Sequence, residues 1–363
     1  MSDKIDVLKI DKNMTIESVD ENGLVWLNPN QSPFKLVGFN WFEQDKVYRR
    51  FPVNPDPVLP EGVEVLSNCT AGGQIKFRSD SSRIAVKVKL PAPGAMYHMP
   101  NTGSSGVDLY LGDSSRQTFY GVSVFDVKDD EYIHEFAQLE SSVMREFTLN
   151  FPLYNGVEEF SLALEEDASI AAPTPFVDDR SIIVYGTSIA HGGCASRPGM
   201  CYTNILSRKL NRPFINLAFS GSGRGEPEVA EHIASIENPA MFILDYEANC
   251  GTVEKLAETL PEFIRILRVK HPLTPILVVS KVAFAREVFN KSEKDGREAC
   301  KKVEIENVER CQATGDKNIY FIDAEFFQGE DFWECTVDGV HPTDLGFYRM
   351  AENLLPEIEK RLV

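Results

Sequence analysis

Near residue 170 the spacing of apolar residues changes, and no single secondary-structure period fits both sides of that point. Before it, apolar and polar residues alternate in short runs: GQIKFRSD (73–80), RIAVKVKL (83–90), GVDLYLG (106–112), REFTLNFPLY (145–154) and EFSLALEE (159–166). Period-two alternation sends one face of each strand into a core and the other toward water. Asp80, Ser81 and Ser82, between the first two runs, read as a hairpin turn. No amphipathic helix interrupts the series, so the first half is expected to form an antiparallel, jelly-roll-like β-sandwich.

The stretch SIAAPTPFVDD (169–179) has two prolines and no period, and it is the expected junction between domains over 1–175 and 176–363. Beyond it the runs become continuously apolar: IIVY (182–185), FINLAF (214–219), MFILDY (241–246), PILVVS (275–280) and IYFI (319–322). Such runs are strands buried on both faces. Helical periods lie between and after them, around 201–210, 226–236, 253–270, 292–313 and 343–362. Strand and helix in alternation predict a doubly wound, flavodoxin-like α/β/α sandwich with a parallel sheet, whose site lies at the carboxyl ends of the strands.

Charge narrows the range of partners. The formal net charge of −18 opposes nucleic-acid backbones and anionic membranes. No run of 18 apolar residues exists to span a bilayer. The opening MSDKIDVLKIDKN is polar and lacks the apolar stretch of a signal peptide. Seven scattered cysteines contain no CxxC pair, so a zinc site is not expected from spacing. Free thiols in a reducing compartment, and hence a cytoplasmic location, are the expectation.

The first apolar strand of the second half ends in Gly186, Thr187 and Ser188. A serine hydroxyl is a poor nucleophile until a base accepts its proton, and the base needs an acid to fix its tautomer. Of six histidines, one lies in TVDGVHPTDLG, where Asp338 precedes His341 by three residues. In a tight turn that offset brings a carboxylate to Nδ1 and leaves Nε2 for Ser188. After the second strand, NLAFSGSGRGE supplies Gly221 and Gly223, whose backbone N–H groups suit a developing oxyanion. After the third, LDYEANCG supplies Asn249 and its side-chain amide.

Serine, glycine, asparagine and Asp-x-x-His at successive strand ends resemble the SGNH (GDSL-like) hydrolase superfamily. YGTSIAHGGCASRPGM and NLAFSGSG are similar to a branch in which Gly-Thr-Ser replaces Gly-Asp-Ser. That branch has an N-terminal β-sandwich with a Gly-x-Asp-Leu-Tyr motif, matched here by SGVDLYLG (105–112), and MYHMPNTG and YRRFP are also similar to it. The resemblance implies Ser188 as nucleophile, His341 and Asp338 as the other triad members, and an oxyanion hole from Ser188, Gly221 and Asn249. It implies a serine esterase acting without metal or organic cofactor. The expected substrate is a small acylated compound, often an acetylated carbohydrate. Thr187 stands where an aspartate is usual, and Glu-Ala-Asn-Cys where Gly-x-Asn-Asp is common.

Other residues have two readings each. Ser188 alone could cap a helix. His191 could compete as the base or touch substrate, or satisfy a local hydrogen bond. Arg197 is a substrate contact or a salt-bridged anchor. His98 and Asp108 are structural or reach over the cleft, and Asp245 with Glu247 could imitate a metal pair. GSGRG lacks the spacing of a phosphate loop, and Ser188 is not in the GxSxG of an α/β-hydrolase. Two rival functions are a carbohydrate-binding protein with an inactive hydrolase half and an acyl-CoA thioesterase. The sandwich is expected to dock rigidly, with loop 96–106 bordering the cleft.

Overall fold

The computed structural model describes residues 16–19, 23–113 and 116–362. The polar opening stretch, on which the expected location rests, lies outside the described residues. Among those described, no helix is long and apolar enough to cross a membrane.

The first half is a sandwich of two antiparallel sheets. One contains β1 (Ile16–Val19), β2 (Leu24–Leu27), β10 (Glu159–Glu165), β5 (Arg83–Lys89) and β8 (Glu131–Gln138), in that order. The other runs β11 (Ile170–Ala171), β4 (Gln74–Ser79), β9 (Arg145–Asn150), β6 (Asp108–Leu111) and β7 (Thr118–Val122), with β3 (Lys35–Val37) also on β4. Their inner faces enclose a core that includes Ile75, Phe77, Val86, Phe147, Phe151 and Leu162. Phe77 and Phe147 sit opposite each other across β4 and β9, with rings 5.2 Å apart.

The expected hairpin is corrected. β4 and β5 belong to different sheets, so Asp80, Ser81 and Ser82 form a corner between layers. The corner is held by side chains: Asp80 accepts from Ser169 N–H, Ser81 Oγ donates to Arg83 O, and Ser82 N–H donates to Glu165. Alternation fixes which face of a strand is buried, not which strand lies beside it. Short helices at Phe42–Asp45, Glu61–Leu66 and Asn101–Ser104 also interrupt this half, contrary to expectation.

The second half is a parallel sheet ordered β13 (Phe214–Ala218), β12 (Ile182–Gly186), β14 (Met241–Asp245), β15 (Ile276–Val279) and β16 (Ile319–Ile322). Along β12, Ile182 and Val184 pack on one side with helices Tyr202–Leu210 and Asp344–Glu359. Ile183 and Tyr185 pack on the other with helices Pro227–Ala234, Val253–Lys270 and Lys291–Ala313. This is the flavodoxin-like order, and its strand order reverses between β12 and β14. The crevice above that point is where a ligand site belongs.

β13 is an edge strand, and an uncovered edge exposes unpaired backbone groups. Here the first half covers it. Arg50, wholly buried, donates to the carbonyls of Asn216 (3.3 Å) and Ala218 (2.6 Å), and also to those of Leu66 and Cys69. Phe51 stacks on Phe219 at 5.4 Å. At Gly72 a Cβ would lie 2.8 Å from the Asn216 Cβ, and its φ of +85° also favours glycine.

Candidate active site

Ser188 opens the short helix Ser188–His191, directly beyond β12. Thr187 caps that helix by accepting from the Ile189 N–H, which gives the threonine a local role where the related motif has aspartate. Gly186 permits the close turn, since a Cβ there would lie 2.7 Å from both the Ala190 Cβ and the Asp245 carbonyl oxygen.

His341 comes from a turn between the C-terminal end of the sheet and the last helix. The turn is closed by Val337 N–H on His341 O (2.9 Å) and includes Gly339 at φ +88°. His341 Nε2 lies 2.9 Å from Ser188 Oγ, and Nδ1 lies 2.7 Å from Asp338 Oδ2. Asp338 Oδ1 accepts from the backbone N–H groups of Val340 (3.0 Å) and His341 (2.8 Å). Partial burial works to raise the Asp338 pKa, but these N–H groups and the imidazole outweigh it and hold the carboxyl below its ordinary value. The ionised carboxylate keeps the proton on Nδ1, so Nε2 presents a lone pair to the serine.

Two further strand ends face this pair. The turn after β13 uses Ser222 and Gly223 N–H as donors to Phe219 O. Gly221, at φ +66°, is exposed within it. Among the described residues no acceptor is bonded to the Gly221 or Ser188 N–H. After β14, Asn249 lies in the short helix Glu247–Cys250 and donates one amide hydrogen to Phe219 O at 3.1 Å, leaving its second.

Comparison with known proteins identifies the family. A family model described as GDSL-like lipase/acylhydrolase matches residues 179–359, and a model for the N-terminus of SGNH-hydrolase-type esterases (GxDLY) matches 24–170. A GDSL-like lipase from Bacteroides ovatus ATCC 8483 superposes with a TM-score of 0.86 at 32% identity, over 93% of this chain and 98% of that one. The chain belongs to the GDSL-like lipase/acylhydrolase family. It is an ester-bond hydrolase of the SGNH type. The fold is also that of the salicylyl-acyltransferase SsfX3 from a tetracycline biosynthetic pathway, at TM-score 0.76 and 19% identity, covering 94% and 98% of the two chains. A family two carbohydrate esterase from Cellvibrio japonicus shares it at TM-score 0.60 and 14% identity, over 93% and 98%. Comparison with curated proteins returned no match.

In this GDSL-like hydrolase, burial corrects two of the possible substrate contacts, His191 and Asp108. His191 is fully buried, beneath Ser188. Its Nε2 donates to Leu153 O at 2.8 Å, while Arg50 lies 3.4 Å from the same nitrogen. Burial first, and then the Arg50 charge, push its pKa well below the ordinary histidine value. It stays neutral and cannot reach a ligand. Its ring stacks at 4.2 Å on Tyr154, whose hydroxyl donates to Ser188 O at 3.2 Å.

Asp108, at 0% exposure, is a strut between the halves. It accepts from Asn150 Nδ2 and from Gly199 N–H, both at 2.6 Å. Arg197 lies in the same seam, 3.9 Å from Asp108, 3.7 Å from Asp344 and 3.9 Å above the Phe119 ring. These contacts make it an anchor between the halves. Asp245 and Glu247 are taken by Tyr202 Oη and the Lys281 N–H.

His98 does reach the site. Its ring meets the His341 ring edge-on at 5.4 Å and carries Tyr97 stacked at 4.3 Å. Loop 96–106 therefore borders the cleft. Thr102 Oγ1 donates to Ser196 O at 2.6 Å, and Gly103 packs so closely that a side chain would strike the Ala195 carbonyl. Sequence reasoning missed Tyr154 and Arg50, which hold Ser188 from below. The only signal was an arginine pair in YRRFP and a tyrosine at the end of an apolar run.

Proposed function

We propose that this hydrolase is a serine esterase that removes a small acyl group, such as acetyl, from a carbohydrate. The observation that supports it best is the unbroken relay from Ser188 Oγ through His341 to Asp338, at 2.9 and 2.7 Å. As Ser188 attacks the ester carbonyl, its proton passes to His341 Nε2 and the imidazolium is stabilised by Asp338. The Ser188 and Gly221 N–H groups and the free hydrogen of Asn249 Nδ2 would receive the oxyanion. His341 then returns the proton to the leaving alcohol and activates the water that releases the acyl group.

The sugar assignment draws on two features. Tyr97 is 95% exposed at the cleft edge beside His98, and offers a flat apolar face of the kind that packs against a pyranose ring. The carbohydrate esterases that share the fold include one from Clostridium thermocellum solved in complex with cellohexaose. The net charge of −18 disfavours the phosphates of an acyl-CoA.

A panel of acetylated sugars, acyl-CoAs and p-nitrophenyl esters of increasing chain length, run on wild type and Ser188→Ala, tests the proposal. Turnover should be highest for acetyl groups on sugars and absent in the variant. Preference for acyl-CoA or long chains would overturn the substrate. Hydrolysis by Ser188→Ala at the wild-type rate would overturn the mechanism.

A further inference from the structure

We propose that His98, Cys194 and His341 form a binding site for a zinc-like divalent cation, and that its occupation shuts the hydrolase off. Each of the three brings one donor atom, and these atoms lie within 4.8 Å of one another. They come from the cleft loop of the sandwich, the loop after the nucleophile helix and the C-terminal turn. No spacing motif connects them.

The donor set selects the ion. Two imidazoles and a thiolate suit zinc or cobalt, whereas magnesium and calcium require oxygen ligands. Bonds of about 2.0–2.3 Å in a tetrahedron put donors roughly 3.3–3.7 Å apart, so the three must close by about 1 Å. Side-chain rotation at the half-exposed His98 can supply that movement. The fourth position is left to water or Ser188 Oγ.

Several features prepare the site. His341 holds its Nδ1 proton on Asp338, so the lone pair open to a cation is the one on Nε2. A carboxylate behind an imidazole is also the arrangement that orients histidine ligands in metal centres. His98 Nδ1 is buried and, among the described residues, has no hydrogen-bond partner. Tyr97 stacks on His98, and being 95% exposed itself it can move with that ring. Cys194 is held at φ +75°, a backbone region that non-glycine residues seldom occupy. Just before it, Gly193 packs on the same imidazole, where a Cβ would lie 3.2 Å from His341 Cδ2.

Binding is an exchange without redox chemistry. The cation takes the Cys194 sulfur and the two ring nitrogens, the thiol proton leaves to solvent, and nothing is oxidised or reduced. Because the cation uses the lone pair that would accept the Ser188 proton, its effect on turnover rests on the proposed role of His341. Its effect on a metal spectrum does not.

The full-length protein is titrated with Zn2+ in a chelator-buffered series while hydrolysis of an activated ester is followed. Zinc should inhibit wild type, and a chelator should restore activity. In Cys194→Ser, with basal turnover retained, the inhibiting concentration should rise by ~10-fold or more. Separately, Co2+ should give a thiolate charge-transfer band in wild type that is missing in Cys194→Ser, and weaker tetrahedral bands in His98→Gln. Equal zinc sensitivity of wild type and Cys194→Ser, or cobalt spectra without a sulfur band, would overturn the site. A sulfur band in an enzyme that zinc leaves active would overturn the shut-off. A sulfur band in a protein that cleaves no ester would support the site and refute the esterase reading.

Discussion

Ser188 is held between two environments of opposite character. Above it, toward solvent, His341 and Asp338 come from one half-exposed turn of the hydrolase half. Below it, His191 and Arg50 are packed out of water beside the partly buried Tyr154, and two of the three come from the sandwich half. The upper group carries titratable chemistry a proton can enter and leave. In the lower group His191 is kept neutral and Arg50, although burial lowers its pKa to about 10, stays charged at neutral pH. The His341–Asp338 pair is therefore built locally, while the position of Ser188 is set by docking between the halves.

Substitutions above and below the serine should differ in kind. The largest effect is expected above it: Ser188→Ala and His341→Ala should each lower kcat by at least ~10³-fold with little change in Tm. A variant that lost stability instead would place these residues in the frame. Next comes Asn249→Ala, expected to lower kcat by ~10²-fold while KM stays put, because its hydrogen bond matters most when charge forms. A change confined to KM would make Asn249 a binding residue.

Below the serine the order of effects reverses. Arg50→Leu should cost about 3–5 kcal/mol in unfolding experiments, since it strips donors from buried carbonyls. Tyr154→Phe removes the hydroxyl that bonds the Ser188 carbonyl and Ser220 while keeping the ring, and should change kcat by about 5-fold or less. A loss from Tyr154→Phe as deep as that of His341→Ala would erase the distinction drawn here.

The smallest effect concerns pH at the seam. Burial pushes the Asp108 carboxyl up to about 6, despite the hydrogen bonds from Asn150 and Gly199 and the charges of Arg208 and Arg197. Its ordinary value in an unfolded chain is about 3.9. The native state thus holds that proton more tightly, and the resulting stability is full below about 3.9 and lost as pH rises through about 6. Going from pH of about 7 to about 5, the Tm difference between wild type and Asp108→Asn should move in favour of wild type. A difference that ignores pH would show that the carboxyl titrates alike in both states.

How much of this was legible depended on distance along the chain. The parallel strands announce themselves because burial on both faces leaves no polar position, and IIVY lies within Ile182–Gly186. Asp338 and His341 were legible as a pair because three residues in one turn need no knowledge of the fold. The partnership of β4 with β9, not β5, is encoded in no local residue, and the Asp80–Ser82 corner looks like any turn. Likewise, nothing near His191 says that it will lie beneath Leu153 and Arg50. Its neighbours in sequence include Ser188, whereas its neighbours in space are structural.

Arg50 also bears on the order in which the protein can mature. Its carbonyl partners on the edge strand, Asn216 and Ala218, follow it by 166 and 168 residues. During synthesis the first half emerges with a cation and the adjacent Phe51 ring waiting for a surface that has not yet been made. Until the strand Phe214–Ala218 leaves the ribosome, Arg50 can meet only its partners within the first half, Leu66 and Cys69, and the rest of its donors face water. Whatever order the two sheets of the sandwich follow, this corner of it closes late, in the same event that seals the hydrolase edge.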